Sequence, residues 1–132
     1  MTRLLLDTSV LVDDERSGGL LAHIPDDADL AIAAITLAEL GTGVELASAR
    51  HRPARAAYLE DIQRLPSIHY DADVAAVHAK LLAECRRLGR PRGAHDLIIA
   101  ASAIATDRAV VTSDPAGFID LPDLRVIVVE DR

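Results

Sequence analysis

The chain has 132 residues, half of them hydrophobic, and a formal net charge of −7. That is enough chain and apolar content for one packed core, which excludes a disordered polypeptide, and the acidic balance argues against a broadly basic nucleic-acid surface. Tyr58, Tyr70 and Phe118 are the only aromatics, too few for a base-stacking platform, and the single cysteine, Cys85, rules out an internal disulfide framework or a cysteine-based zinc site.

The apolar run Leu4-Leu5-Leu6 ends on Asp7, and a second apolar segment begins after Thr8-Ser9. A short apolar run bounded by a polar turn suits a strand buried on both faces of a parallel sheet, and Asp-Thr-Ser suits a helix N-cap. Asp7 is therefore expected at the junction of a strand and a helix, the sheet edge where open α/β folds bind ligands. A short helix over residues 9–15 follows, broken by Ser17-Gly18-Gly19, then a helical piece over 20–24 and a turn at Pro25-Asp26-Asp27. Residues 30–34 read as a second strand. Thr36-Leu37-Ala38-Glu39 opens a helix with the spacing of a capping box, in which Glu39 bonds back to the cap. Gly41 and Gly43 weaken this helix, which implies a group that approaches closely there.

Pro53 lies in the first turn of the next helix, which runs to about Leu65. Residues 67–70 form a short strand. A long amphipathic helix follows, capped by Asp71 or Asp73 and closed by Gly89. Its stripe Val74, Val77, Leu81, Cys85 and Leu88 makes Cys85 a core residue. After the loop 90–93, the segment 94–106 is a helix that is apolar nearly all round, hence central. A strand over 109–112, the turn Ser113-Asp114-Pro115 and a last strand over 125–129 complete the order. The alternation predicts a three-layer α/β/α sandwich with a mainly parallel sheet, as a single domain over residues 1–132. No signal-peptide pattern opens the chain and no run approaches the ~18 apolar residues of a membrane span, so a soluble, cytoplasmic protein without a membrane partner is expected.

Four acids occupy settings unusual for surface acids. Asp7 ends the first strand, and Asp114 follows the strand 109–112 at the same kind of end. Asp96 lies in the first turn of the apolar helix, with Ala100 and Ala103 on its face, and Glu39 in the first turn of the helix that Thr36 opens, with Gly43 on its face. Each has an ordinary explanation: a cap for Asp7, a capping box for Glu39, the helix dipole for Asp96 and an Asx turn for Asp114. Taken together, several carboxylates at one dry edge repel each other, and no lysine lies near any of them. A hard divalent cation, Mg²⁺ or Mn²⁺, supplies the missing charge through oxygen ligands.

Arginine accounts for thirteen of the fourteen basic residues and is clustered, as Arg50, Arg52 and Arg55 and as Arg86, Arg87, Arg90 and Arg92. These are candidates for phosphate-backbone contacts that position a nucleic acid without reading its sequence. His95, beside Asp96, is read as a structural or helix-start residue rather than a proton carrier.

Four motifs in order carry a resemblance: Leu6-Asp7-Thr8-Ser9-Val10, Thr36-Leu37-Ala38-Glu39-Leu40, His95-Asp96-Leu97-Ile98-Ile99-Ala100-Ala101, and Val111-Thr112-Ser113-Asp114 with Phe118 four residues on. Together they resemble the PIN-domain family, most closely the VapC-type toxin ribonucleases of toxin–antitoxin pairs, over nearly the whole chain. The resemblance implies a metal-dependent endoribonuclease. Asp7, Glu39, Asp96 and Asp114 match the family's acidic quartet, catalytic and metal-binding, and Thr8, Thr112 and Ser113 match polar positions near the metal. It also implies an RNA substrate, a VapB-like antitoxin whose tail covers the active site, and a homodimer. One departure stands out: many relatives carry an acid just before the phenylalanine, where this chain has Gly117.

Other classes fit less well. A phosphoacceptor receiver domain needs a lysine on a late strand, but Lys80 is the only lysine and falls in a helix. A non-catalytic PIN scaffold is expected to lose members of the quartet, and none is lost. Thr8-Ser9 after Asp7 excludes the Asp-x-Asp start of a phosphatase. An RNA-processing nuclease that is not a toxin stays open.

Overall fold

The computed structural model describes residues 2–130. Five strands form one parallel sheet: β1 (Arg3–Leu6), β2 (Asp29–Ala33), β3 (Ser67–Ile68), β4 (Ala109–Thr112) and β5 (Val126–Val128), in the order β3-β2-β1-β4-β5. Five helices flank it: α1 (Thr8–Ser17), α2 (Ala34–Leu46), α3 (Arg52–Ile62), α4 (Ala72–Leu88) and α5 (Ala94–Ala105). Short 3-10 turns cover Leu20–His23 and Pro115–Gly117. This is the expected three-layer sandwich.

The pleat of β1 shows how the layers are divided. Leu4 and Leu6 enter a cluster with Val10, Leu11, Leu40 and Ile62, from α1, α2 and α3. Leu5 points the other way, into a cluster with Val74, Leu81, Leu97 and Ile99, from α4 and α5. A strand covered on both faces must be continuously apolar, as this one is. Cys85 is buried in the second cluster, as its place on the α4 stripe predicts. Asp71 Oδ1 accepts from Val74 N at 2.9 Å to cap α4, and Gly89 closes it with a left-handed backbone (φ 62°). Among the described residues, no helix is long and apolar enough to cross a membrane.

The chain leaves β1 toward β2 and β3 on one side, then returns to β4 and β5 on the other. The crevice between such diverging connections, at the carboxyl ends of the strands, is the standard ligand position of an open parallel sheet. The opposite edge is bound by arginine. Arg108, 7% exposed, donates to the carbonyls of Leu4 and Asp29 and pairs with Asp29 Oδ1 at 3.0 Å, while Arg3 pairs with Asp29 Oδ2 at 2.9 Å.

Two expectations need correction. The helix expected to open at Thr36 begins at Ala34, directly after β2, with Ala33 in the N-cap position and no side-chain cap. Thr36 is therefore inside the helix and Glu39 in its second turn, so no capping box forms. Nor would a Cβ at Gly41 or Gly43 meet anything, although Arg55 Nη1 does approach the Gly43 carbonyl at 3.3 Å. Elsewhere the ends shift by a few residues; the 67–70 strand shortens to Ser67–Ile68, and α3 stops at Ile62 rather than Leu65.

Candidate active site

Asp7 follows the last residue of β1. It occupies the N-cap position of α1, but its side chain makes no capping bond there. The residue is only 4% exposed, and its Oδ2 accepts from Ser9 Oγ at 2.7 Å and from Thr112 Oγ1 at 2.9 Å. Burial pushes the carboxyl above its usual value of 3.8. The hydroxyls of Ser9 and Thr112, with the nearby Thr8 and Ser9 N–H groups, draw it part of the way back. Thr112, itself fully buried, stands behind Asp7 and accepts the backbone N–H of Asp114 at 3.0 Å. One hydroxyl thus joins the ends of β1 and β4.

Glu39, freed from any capping duty, points at the first turn of α1. Thr8 Oγ1 donates to its Oε1 at 2.8 Å and sits 3.1 Å from Thr36 Oγ1, and His95 Nδ1 lies 3.3 Å from its Oε2. Asp96 is the third residue of α5. Its carboxyl is raised above the usual range, first by burial, then by the negative charges of Asp7, Glu39 and Asp114, with His95 opposing them. Asp114 precedes the 3-10 turn Pro115–Gly117 without capping it by its side chain.

Asp7, Glu39, Asp96 and Asp114 line one cavity of about 410 Å³, together with Thr8 and Ser113. Of the seven residues singled out in the sequence, only Thr112 is not in the lining; it acts through Asp7. Two polar residues of the lining were not expected, Ser9 and Asp13. Ser9 Oγ accepts the Ser113 N–H at 3.2 Å, and Ser113 Oγ donates to Asp13 Oδ2 at 2.6 Å. The spacing of four between Ser9 and Asp13 puts both on one face of α1, the one signal that points to Asp13. A Cβ on Gly117 would meet the side chain of Asp96 first.

The donor set is entirely oxygen, and among the described residues no lysine or arginine lines the cavity. Among the described residues, no three carboxylate, imidazole or thiol groups stand close enough to enclose an ion by themselves. Mg²⁺ normally keeps several waters and takes only one or two carboxylates with substrate oxygens, so an open, oxygen-only, net-negative cleft fits such a cation.

The arginine clusters are less free than their spacing suggests. Arg52 pairs with Glu45 at 3.0 Å, Arg87 with Glu84 at 2.7 Å and Arg90 with Asp120 at 3.8 Å. Arg55 donates to the Gly43 carbonyl and Arg92 to the Ile119 carbonyl. A second cavity, of about 910 Å³, runs between α1, α2 and α3; Val12 and Glu39 line both it and the acidic cleft.

The PIN domain family model matches residues 4–124. Ribonuclease VapC5 of Mycobacterium tuberculosis is 38% identical over 113 residues, 83% of this chain and 82% of that protein. The tRNA(fMet)-specific endonuclease VapC of Salmonella typhimurium is 35% identical over 98 residues, 74% of this chain and 73% of that protein. Among solved structures, VapBC2 from Rickettsia felis, bound to a DNA fragment from its promoter, superposes with a TM-score of 0.87 at 25% identity, covering 98% of this chain and 100% of that one. The chain belongs to the PIN domain family, among its VapC-type members.

Proposed function

We propose that the chain is an endoribonuclease that works with Mg²⁺ or Mn²⁺ and serves as the toxin of a toxin–antitoxin pair. The observation that carries this is the convergence of Asp7, Glu39, Asp96 and Asp114 on one cleft with no cationic side chain, among the described residues, in its lining. The ribonuclease and endonuclease names of the VapC relatives supply the substrate class.

In this reading Asp7 and Asp96 are the main ligands of the cation, and Glu39 and Asp114 hold a second ion, orient water or accept a proton. When bound, the cation supplies electrophilic assistance to the scissile phosphodiester and lowers the pKa of an attacking water. Ser9 and Thr112 hold the Asp7 carboxylate at a fixed angle, and Thr8 does the same for Glu39. Ser113 ties Asp13 into the rim of the cleft. Of the two arginine clusters, Arg50 and Arg86 form no ion pair or hydrogen bond among the described residues and keep their guanidinium groups available for an RNA backbone.

The partner is a VapB-like antitoxin, the second component of the VapBC assemblies that this fold matches. The groove between α1, α2 and α3 suits it, because a segment lying there reaches the acidic cleft through Val12 and Glu39. A homodimer is part of the same proposal.

Purified protein is expected to cleave RNA with Mg²⁺ or Mn²⁺ and to stop with EDTA; cleavage that persists without metal overturns the metal role. Expression without a partner is expected to arrest growth, and Asp7→Asn or Asp96→Asn to relieve it. Undiminished toxicity in both variants rejects the assignment of the cleft.

A further inference from the structure

Asp96 stands between two glycines. A Cβ placed on Gly93 comes within 3.0 Å of Asp96 Oδ2, and one placed on Gly117 within 2.7 Å of Asp96 Cγ, and closer still to Oδ2. The second approach is one that real side chains do not make. Gly117 has no left-handed φ, so its backbone accepts any residue, and the nearest obstruction to a side chain is Asp96, its carboxylate first and its Cβ next at 3.2 Å.

The two glycines are held in place by other contacts. Phe118, next to Gly117, is fully buried in the α4–α5 cluster and anchors the turn. Phe118 N and Ile119 N both donate to the Pro115 carbonyl, at 2.9 and 3.0 Å, closing the turn on itself. Arg92, immediately before Gly93, donates from Nη2 to the Ile119 carbonyl at 2.7 Å and so ties the loop that opens α5 to the turn after β4. Neither glycine can move away easily, because the loop and the turn are joined to each other and the turn is anchored in the core.

We propose that Gly117 is a positioning residue: its bare α-carbon, with Gly93 opposite, sets the orientation in which Asp96 presents its carboxylate to the cleft. A methyl group at 117 turns that carboxylate away. Arg92 then serves as the clasp of this cradle and not as a contact to RNA. The functional weight of the proposal rests on the nuclease reading above; the geometric part does not.

The test is a metal-free melting comparison of four proteins: the unaltered chain, Gly117→Ala, Asp96→Ala and the double variant. Gly117→Ala is expected to melt about 3–5 °C below the unaltered chain. The same substitution made on Asp96→Ala is expected to lower melting by less than ~1 °C, because the obstructing carboxylate is gone. Equal drops in both backgrounds overturn the proposal, since they place the penalty in the turn and not at Asp96. No drop in either overturns it as well, since the methyl group then fits beside the carboxylate. A second arm measures Mn²⁺ binding and RNA cleavage, where Gly117→Ala is expected to lose at least tenfold in both; wild-type affinity and rate in that variant overturn the functional part. Should the unaltered chain neither bind Mn²⁺ nor cleave RNA, the nuclease reading falls, and the melting comparison still decides the role of Gly117.

Discussion

Thr8 Oγ1 donates to Glu39 Oε1 at 2.8 Å, fastening the first residue of α1 to the second turn of α2. Because α2 leaves β2 without a capping side chain, this bond and the His95 contact are what orient the Glu39 carboxylate.

Thr8→Val keeps the shape of the side chain and removes the donor. A lost hydrogen bond of this kind costs about 1 kcal/mol of stability. Residues that support a metal ligand commonly matter 10- to 100-fold, so RNA cleavage is expected to fall roughly tenfold. Steady-state cleavage and thermal melting measured on the same sample check both effects; an unchanged rate means that Glu39 does not need this support.

Asp7→Asn is expected to lower cleavage more than ~100-fold, beyond what supporting residues contribute. It should also raise the stability of the metal-free protein by ~1 kcal/mol, because the amide keeps the contacts with Ser9 and Thr112 but not the uncompensated buried charge. A variant that is both inactive and less stable than the parent contradicts the picture of a carboxylate held at an energetic cost for its chemistry.

The same burial gives a pH dependence. Asp7 and Asp96 have carboxyls raised above 3.8 in the folded protein. From about pH 4 up to those raised values, the folded state binds more protons than the unfolded one, so stability falls as pH rises. Metal-free melting temperatures are expected to decline across this window, less steeply in Asp7→Asn. Added Mn²⁺ should stabilise more as pH increases, since only ionised carboxylates bind it. Parallel pH profiles for Asp7→Asn and the parent remove Asp7 from this account.

Asp13→Ala and Ser113→Ala break one hydrogen bond from its two ends. Each is expected to slow cleavage roughly tenfold, and the double variant to be no slower than either single one, because the two side chains act as a unit. Multiplying losses in the double variant would show that Asp13 and Ser113 act separately.

Tyr58→Phe is the control outside the cleft. Tyr58 Oη donates to Asp14 Oδ2 at 2.9 Å and links α3 to α1, and burial with the neighbouring Asp14 raises its phenol above the usual range. Its loss is expected to cost about 1 kcal/mol in a denaturant titration and to leave the cleavage rate unaltered. A fall in rate would mean that α3 helps to shape the cleft.

The sheet, and the placing of Asp7 and Asp114 at one edge of it, were legible in the sequence because each rests on a local pattern. Leu4-Leu5-Leu6 is apolar at every position because helices cover both of its faces, and Asp7 and Asp114 each follow a strand that ends on the same edge. Thr36-x-x-Glu39 misled because a capping box is also a local pattern, while the absence of any loop between Ala33 and Ala34 depends on how β2 meets α2. Asp13 was missed because an acid on a short polar helix looks solvated until Ser113, one hundred residues later, is placed against it. Arg52, Arg87 and Arg90 looked free because Glu45, Glu84 and Asp120 come to them through helix turns and folding. Gly117 looked like the loss of an acid; its meaning lies in Asp96, which is distant in sequence and adjacent in space.

The central pair of strands also sets the order of events in synthesis. Leu6 of β1 is registered with Val111 of β4, and the Asp7 N–H reaches the Val111 carbonyl at 2.9 Å. A nascent chain therefore carries Asp7 and Glu39 out of the ribosome well before Thr112 and Asp114, and Asp96 only shortly before them. Contacts between such distant segments form late, after the entropy of closing a long loop has been met. A chain interrupted before β4 has three of the four acids and no Thr112 to steady the first, so a truncated product of this reading frame should be harmless to the cell that makes it.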